Sequence, residues 1–224
     1  MHRLPLLLFG FTIFIDYPTA VCQEVPVPDG YVIIDTVYGD LDKDHQQELV
    51  VAYNTPHEDS PDENISRELI IYKLQKDKWI NWKGSKQALY GSRDGGMMGD
   101  PYGDMEIKNG ILLISQYGGS SYKWGHTDKY RYQNGDFYLI GYTSTYGKPC
   151  TYFTDVDFNL STGELIVKKE YEDCDKPDDA IYKRENEIFY EAGLKVTLQN
   201  RNAREIKIIS PKYKHEIYIA SGPE

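Results

Sequence analysis

Two Asn-Gly pairs constrain the fold of this chain more than any other feature. Asn109-Gly110 and Asn134-Gly135 each lie between two runs of strand-forming residues. Asn and Gly tolerate the positive φ angles of a two-residue type I′ turn, which joins antiparallel strands. The sequence therefore predicts two β-hairpins, built from Met105–Lys108 with Ile111–Ser115 and from Lys129–Gln133 with Asp136–Tyr142.

The rest of the chain also favours β-strands. It contains 20 tyrosines and many Val and Ile residues, which pack well on a pleated sheet. One helix is predicted near Asp178–Glu187, after Pro177. The expected fold is mostly β, with antiparallel hairpins that form a sandwich or a partial propeller-like sheet and at most one short helix. The further strands are predicted at Tyr31–Val37, Glu48–Tyr53, Glu68–Leu74, Trp79–Trp82, Tyr152–Asn159, Glu164–Lys169, Ile188–Leu198 and Ile206–Ile219.

The N-terminus has the order of features of a secretory signal. A basic start, Met1-His2-Arg3, precedes an apolar stretch from Leu4 to Ile15 that is too short to span a bilayer, and small residues follow. We expect residues 1–22 to be this signal, with a buried N-terminal helix or strand as the alternative. A lipid anchor on Cys22 is a second alternative, which the bulky Val21 before it disfavours.

The segment after the signal, residues 23–224, has the length of one domain or of two small ones in close contact. We predict a single β-rich domain, with a possible subdivision into residues 23–85 and 86–224. No apolar run in it approaches membrane length, so no transmembrane segment is expected there. The formal net charge of −10 argues against nucleic acid as a partner, because phosphate binding needs clustered basic residues. The expected location is secreted or periplasmic.

An acidic run with the letters GDLDKDHQQELVV begins at Gly39, between two predicted strands. Asp40, Asp42 and Asp44 stand at alternate positions, so a tight loop can turn all three carboxylates inward. The main-chain carbonyl of Gln46 and the side chain of Glu48 would complete an oxygen shell. Ca²⁺ prefers six to eight such oxygens. The run therefore predicts a structural Ca²⁺ site, and a solvated acidic turn without metal is the alternative.

This run resembles the calcium loop of FG-GAP/VCBS-type repeats, in which D-x-D-x-D-G-x-x-D lies between two strands. The resemblance covers about residues 30–82 and implies a blade-like β fragment with bound Ca²⁺. His45 stands where the family has Gly, at a position that often needs a left-handed backbone, and Glu48 replaces an Asp. The later stretch from Gly95 to Gly147 resembles exported bacterial proteins that carry such a loop and have no assigned activity.

Cys150 and Cys174 lie deep in the mature chain. An exported compartment is oxidising, so we predict a disulfide between them, which would contribute about 3 kcal/mol through the unfolded state. Two free buried thiols are the alternative.

Aromatic residues are dense between Tyr117 and Tyr146. Tyr117, Tyr122 and Trp124 are candidates for a ligand platform, because Tyr and Trp offer rigid amphipathic area to a carbohydrate or a protein partner. Ordinary cross-strand packing is the alternative.

No catalytic motif stands out in the sequence, and no catalytic residue is assigned. The histidines lack the spacing of a zinc protease, and there is no G-x-S-x-G elbow. The leading hypothesis is therefore a non-catalytic binding module with a structural Ca²⁺ loop. An extracytoplasmic hydrolase whose carboxylates converge only in the fold is one alternative, and an inhibitor or immunity-type protein is another.

Overall fold

A computed structural model describes residues 23–58, 60, 63–176 and 181–221. The predicted signal at residues 1–22, with Cys22, lies outside the described residues. Within them the chain is built from β-strands, two short 3₁₀ turns at Gly96–Met98 and Leu198–Asn200, and no α-helix. The prediction of a mostly β fold with antiparallel hairpins is confirmed.

The first sheet is a four-stranded antiparallel meander in the order β1-β2-β3-β4. Its strands are β1 Val32–Gly39, β2 Glu48–Asn54, β3 Arg67–Gln75 and β4 Lys78–Ser85. Strand β2 is apolar along most of its length and is buried on both faces. The acidic run of the sequence forms the loop between β1 and β2.

The second sheet is a seven-stranded antiparallel meander in which every strand pairs with its neighbours in sequence. A separate hairpin of two strands follows it. The strands of the large sheet are β5 Tyr102–Lys108, β6 Ile111–Gly119, β7 Lys123–Gln133, β8 Asp136–Lys148, β9 Tyr152–Asn159, β10 Glu164–Glu172 and β11 Ile181–Tyr190, and those of the final hairpin are β12 Glu205–Ile209 and β13 Glu216–Ser221.

The two predicted Asn-Gly turns are present in the structure. Asn109 and Asn134 have φ angles of 54° and 52°, and Gly110 and Gly135 follow them with 76° and 85°. Both residues of each turn thus adopt the left-handed region that a type I′ turn requires. The predicted strands Tyr152–Asn159 and Glu164–Lys169 also pair with each other, as β9 and β10.

The predicted helix near Asp178–Glu187 is wrong over its described part. Residues 178–180 lie outside the described residues, and from Ile181 onward the chain forms β11, which pairs with β10 along its whole length. The charged composition favours a helix locally, but Phe189 opposes Leu165 and completes the buried face of the sheet. Tertiary pairing here outweighs local propensity.

One hydrophobic core joins the three sheets. It includes Val50 and Leu69 from the first sheet, Leu112 and Phe158 from the second, and Ile206 from the final hairpin. A second cluster covers the other face of the first sheet, where Leu49, Val51, Tyr53, Ile70 and Tyr72 pack beneath the segment that contains Val25 and Tyr31. The acidic loop therefore projects from a sheet that is held on both sides.

Candidate functional site

The acidic loop leaves β1 at Gly39 and enters β2 at Glu48. Lys43 and His45 have φ angles of 67° and 68°. The left-handed backbone expected at His45 is therefore present, although a non-glycine residue occupies the position. Two left-handed residues in so short a loop turn the chain tightly, which brings its alternate carboxylates to one side.

Main-chain amides of the loop bind its carboxylates and fix their orientation. The His45 amide donates to Asp40 Oδ2 at 3.0 Å, and the Gln46 amide donates to Asp44 Oδ1 at 2.8 Å. The Leu41 amide donates to Glu48 Oε2 at 2.7 Å. Because these bonds satisfy one carboxylate oxygen each of Asp40 and Glu48, the other oxygen of each can face a common point.

Three of the five predicted ligands meet at that point. Asp40, Asp42 and Glu48 each offer one carboxylate oxygen, and these oxygens all lie within 4.8 Å of one another. Asp40 Oδ1 is buried without a hydrogen-bond partner. Asp44 stands outside this group, with 40% of its side chain exposed. The predicted ligand from Gln46 is its main-chain carbonyl, which stays a prediction. The arrangement suits a hard cation, which accepts oxygens from carboxylates.

Lys73 on β3 also enters the acidic loop. Its Nζ contacts Asp42 Oδ2 and lies 3.4 Å from Asp44 Oδ2 and 3.6 Å from Glu48 Oε1. The same ammonium lies 4.3 Å from the centre of the Trp82 ring, a cation–π contact. Sequence reasoning missed this residue, because nothing in the loop indicates which side chain of a partner strand will face it.

The loop keeps a negative charge despite Lys73. Lys73 Nζ lies within 3.6 Å of the carboxylates of Asp42, Asp44 and Glu48, so three formal negative charges face one ammonium. Burial raises the pKa of Glu48, and the charge of Asp42 adds to this effect. Burial alone would lower the pKa of Lys73, but the bond to Asp42 and the surrounding carboxylate charges outweigh it, so that pKa is raised. The ammonium therefore stays charged and serves as a partial counter-ion.

Lys73 should have two effects on the loop: it stabilises the carboxylates when no metal is bound, and it competes with Ca²⁺ for them. Replacement of Lys73 separates these effects. Without divalent metal, Lys73→Met should lower the free energy of unfolding by roughly 1–2 kcal/mol, because the carboxylates lose their counter-ion. The same variant should bind Ca²⁺ more tightly, because the ammonium no longer competes. Urea denaturation in chelator and calorimetry with Ca²⁺ measure the two quantities. Lys86→Met, at an exposed lysine, is the control, and weaker Ca²⁺ binding by Lys73→Met would contradict the competition.

The three residues predicted as a ligand platform do not share one face. Tyr117 opposes Gly125, whereas Trp124 opposes Gly118, so the Tyr117 and Trp124 side chains leave the sheet on opposite sides. Trp124 packs against Tyr90 and lies so close over Gly118 that an added Cβ there would be 2.6 Å from the indole. Tyr122 lies between β6 and β7 and stacks on Tyr146, with ring centres 5.6 Å apart.

Tyr117 borders a shallow groove of about 420 Å³ on the outer face of the large sheet. The floor carries small hydroxyl side chains such as Ser115 and Thr127, whose oxygens are 3.1 Å apart. Asp155 is the one carboxylate among the residues that line it. The groove can present hydroxyls and one charge to a polar ligand.

A larger aromatic surface lies on the other face of that sheet, which we call the tyrosine–lysine face. Sequence reasoning missed most of it, because its members come from β8, β9 and β10 and meet only through the strand register. Alternation along the strands, with Tyr152 at the start of one predicted strand and Lys169 at the end of another, is the signal that could have found it. It consists of Tyr122, Tyr146, Lys148, Tyr152, Lys169 and Tyr171.

The predicted disulfide is present between Cys150 and Cys174, with Cα atoms 5.0 Å apart. It joins the β8–β9 turn to the segment after β10. The Cys150 amide also donates to Glu172 Oε2 at 3.2 Å. These links tie together the ends of the strands that carry the tyrosine–lysine face.

Comparisons with protein-family models, with curated proteins and with solved structures found no match for this chain. Among the described residues, no helix has the length and apolar character needed to cross a membrane.

Proposed function

We propose that this protein is an exported binding module whose β-sandwich is stabilised by one Ca²⁺ at the acidic loop. The observation that carries the proposal is the convergence of Asp40, Asp42 and Glu48, with a buried Asp40 oxygen that no donor reaches. A carboxylate oxygen in that position lacks a partner in the protein, and a hard cation would supply one.

The proposed ligand set is that of the FG-GAP/VCBS-type loop which the sequence resembles. Asp40, Asp42 and Glu48 would bind directly, and Asp44 and the Gln46 carbonyl would close the shell. A divalent ion reduces the repulsion among the carboxylates and lowers the pKa of Glu48, which burial otherwise raises. The role of the metal is therefore structural, because it holds the β1–β2 connection against the buried sheet.

Calorimetry and thermal unfolding with Ca²⁺ test this proposal on the mature protein. Ca²⁺ at a hundred times its dissociation constant should stabilise the fold by about 2.7 kcal/mol, since only the folded loop gathers the ligands. Asp40→Asn and Glu48→Gln should each abolish the heat of binding and the shift in melting temperature. Asp29→Asn, an exposed acid outside the loop, should change neither. If millimolar Ca²⁺ gave neither a heat of binding nor a shift in melting temperature, the proposed Ca²⁺ site would be wrong.

Export is proposed from the signal at residues 1–22 and is supported by the disulfide, because disulfides persist in oxidising compartments. Mass spectrometry of the mature N-terminus tests it. A chain that starts near Gln23 supports a secreted or periplasmic product, whereas a diacylglyceryl mass on Cys22 would indicate a lipid anchor.

Binding is proposed over hydrolysis because of the groove beside Tyr117. Hydrolysis of a glycoside by paired carboxylates needs two acids facing one bond, and Asp155 is the one carboxylate that lines this groove. The hydrolase and the inhibitor or immunity-type protein remain the alternative functions. A stable complex with one protein of the exporting cell would favour the inhibitor.

A further inference from the structure

One end of the large sheet carries aromatic and basic side chains on the face that borders the hydrophobic core elsewhere. Phe158 and Leu165 are buried on that face at the other end of β9 and β10. Towards the disulfide, the same face bears Tyr146, which is 46% exposed, and the exposed Lys148. The inner face of the sheet therefore continues past the hydrophobic core to the surface.

Strand register places these side chains in two adjacent rows. Lys148 opposes Tyr152, and Tyr152 opposes Tyr171. Two residues inward on the same face, Tyr146 opposes Thr154, and Thr154 opposes Lys169. Tyrosines and lysines thus occupy five of the six positions in these two rows.

The tyrosine rings form a continuous chain of contacts. Tyr122 and Tyr146 stack with a 10° angle between their planes. The ring of Tyr152 lies 6.1 Å from Tyr122, 6.4 Å from Tyr146 and 6.2 Å from Tyr171. Four rings from β8, β9, β10 and the β6–β7 connection therefore form one surface.

Two lysines on this surface have no carboxylate at ion-pair distance among the described residues. Lys169 Nζ lies 4.0 Å from the Tyr152 ring centre and 5.1 Å from that of Tyr171. Lys148 Nζ lies 5.9 Å from the Tyr122 ring centre. Glu185 lies opposite Lys169 on the same face, and its carboxylate binds Lys183 at 2.6 Å and the Tyr171 hydroxyl at 2.9 Å instead. On a chain with a net charge of −10, two ammonium groups without a carboxylate in contact suit an anionic ligand.

The surface is held in place before any ligand arrives. Cys150 lies two residues from both Lys148 and Tyr152, and its disulfide partner Cys174 follows Tyr171 by three residues. A covalent link between the two strand ends limits their relative movement. A fixed site loses less conformational entropy on binding than a mobile one.

We propose that the tyrosine–lysine face binds an acidic oligosaccharide, in which sugar rings carry carboxylate groups. The ammonium groups of Lys148 and Lys169 would bind the carboxylates through charge-assisted hydrogen bonds. The tyrosines would supply rigid amphipathic area and hydroxyls for the sugar rings. This inference deepens the proposed function as a binding module and rests on it.

Charge and chemistry favour a uronate polymer over the other polyanions. Tight binding to a nucleic acid backbone needs many neutralised phosphates, and this face offers two unpaired ammonium groups. A neutral glycan would leave both ammonium groups without a counter-charge. In a uronate polymer, each sugar unit has an apolar ring face and one carboxylate. The two ammonium groups and the tyrosine rings of this surface match that combination.

Affinity electrophoresis and calorimetry with oligogalacturonate, at low salt, test the proposal on the mature protein. Wild type should bind oligogalacturonate and not dextran, and Lys148→Gln with Lys169→Gln should weaken binding roughly tenfold or more. Lys168→Gln with Lys195→Gln removes the same charge at two exposed lysines, one of them on the opposite face of β10, and should leave the affinity unchanged. Tyr146→Ala tests the aromatic contribution and should also weaken binding.

The results separate this inference from the calcium proposal. Ca²⁺ titration of the lysine variants should match wild type, because the acidic loop lies in the other sheet. If the protein bound Ca²⁺ but not oligogalacturonate, the proposed oligosaccharide ligand would be wrong and the proposed calcium site would be unaffected. If both double lysine variants weakened oligogalacturonate binding equally, the loss would follow from net charge alone. That result would contradict a binding site on the tyrosine–lysine face. Equally tight binding of single-stranded DNA, sensitive to the same variants, would overturn the ligand class.

Discussion

Arg201→Met should lower the free energy of unfolding by about 3–5 kcal/mol, because it leaves the carboxylate of Asp128 buried without its counter-charge. The Arg201 and Asp128 side chains are at most 1% exposed. Arg201 Nε donates to Asp128 Oδ2 at 2.6 Å, and Arg201 Nη2 donates to Oδ1 at 3.1 Å. Tyr130 also donates its hydroxyl to Asp128, at 3.0 Å. The pair connects β7 to the segment before β12, so its loss weakens the contact between the large sheet and that segment.

Urea denaturation at neutral pH measures this effect. Arg184→Met is the matched control, because Arg184 pairs with Glu170 at 2.8 Å on the surface and should cost at most about 1 kcal/mol. Combining Arg201→Met with Asp128→Asn should recover part of the loss, since no charge is then left buried. Similar losses for the two arginine variants would show that burial does not govern the Asp128 pair.

His126 should make the fold sensitive to acid. Burial lowers the pKa of this histidine to about 4, and the charge of Arg201 acts in the same direction, against the charge of Asp128. In the unfolded chain the imidazole has a pKa near 6.5, so that state takes up a proton first as the pH falls. Stability that is complete above about pH 6.5 is therefore lost progressively down to about pH 4, by roughly 3 kcal/mol.

Urea denaturation at several pH values between 7 and 4, in chelator, isolates this contribution. His126→Gln should have a flatter pH dependence than wild type, because the titrating group is gone. His45→Gln, at a side chain that is 96% exposed, should keep the wild-type slope. A slope unchanged by His126→Gln would assign the acid sensitivity to other groups.

Local sequence signals were sufficient to predict the two Asn-Gly hairpins and the tight turn of the acidic loop. Asn109-Gly110 and Asn134-Gly135 adopt positive φ angles because few residue pairs do so at low cost. The turn at Asp40–Glu48 depends on carboxylates that bind main-chain amides within nine residues. Such contacts are short in sequence, so a reader of the sequence can anticipate them.

The prediction of a helix near Asp178–Glu187 was wrong because the structure of this segment depends on a contact that is distant in sequence. Charged residues favour a helix when considered alone, and the decisive contact is made with a separate strand, where Glu187 opposes Val167. Glu187 accepts hydrogen bonds from the amides of Lys212 and Tyr213, in the turn of the final hairpin. A carboxylate that looks solvated in the sequence is thus a buried acceptor between two sheets.

Neighbours along the chain account for the antiparallel strands, for the position of several turns and for the carboxylates that share one loop, so the sequence is enough to predict these features. Contacts between side chains of distant strands depend on the fold, because the pairing of strands brings those side chains together. Lys73 reaches the acidic loop, and Tyr152 and Lys169 join Tyr146, through strand register. A shift of one residue in that register would turn each of these side chains to the opposite face, so pairing between strands determines both candidate sites.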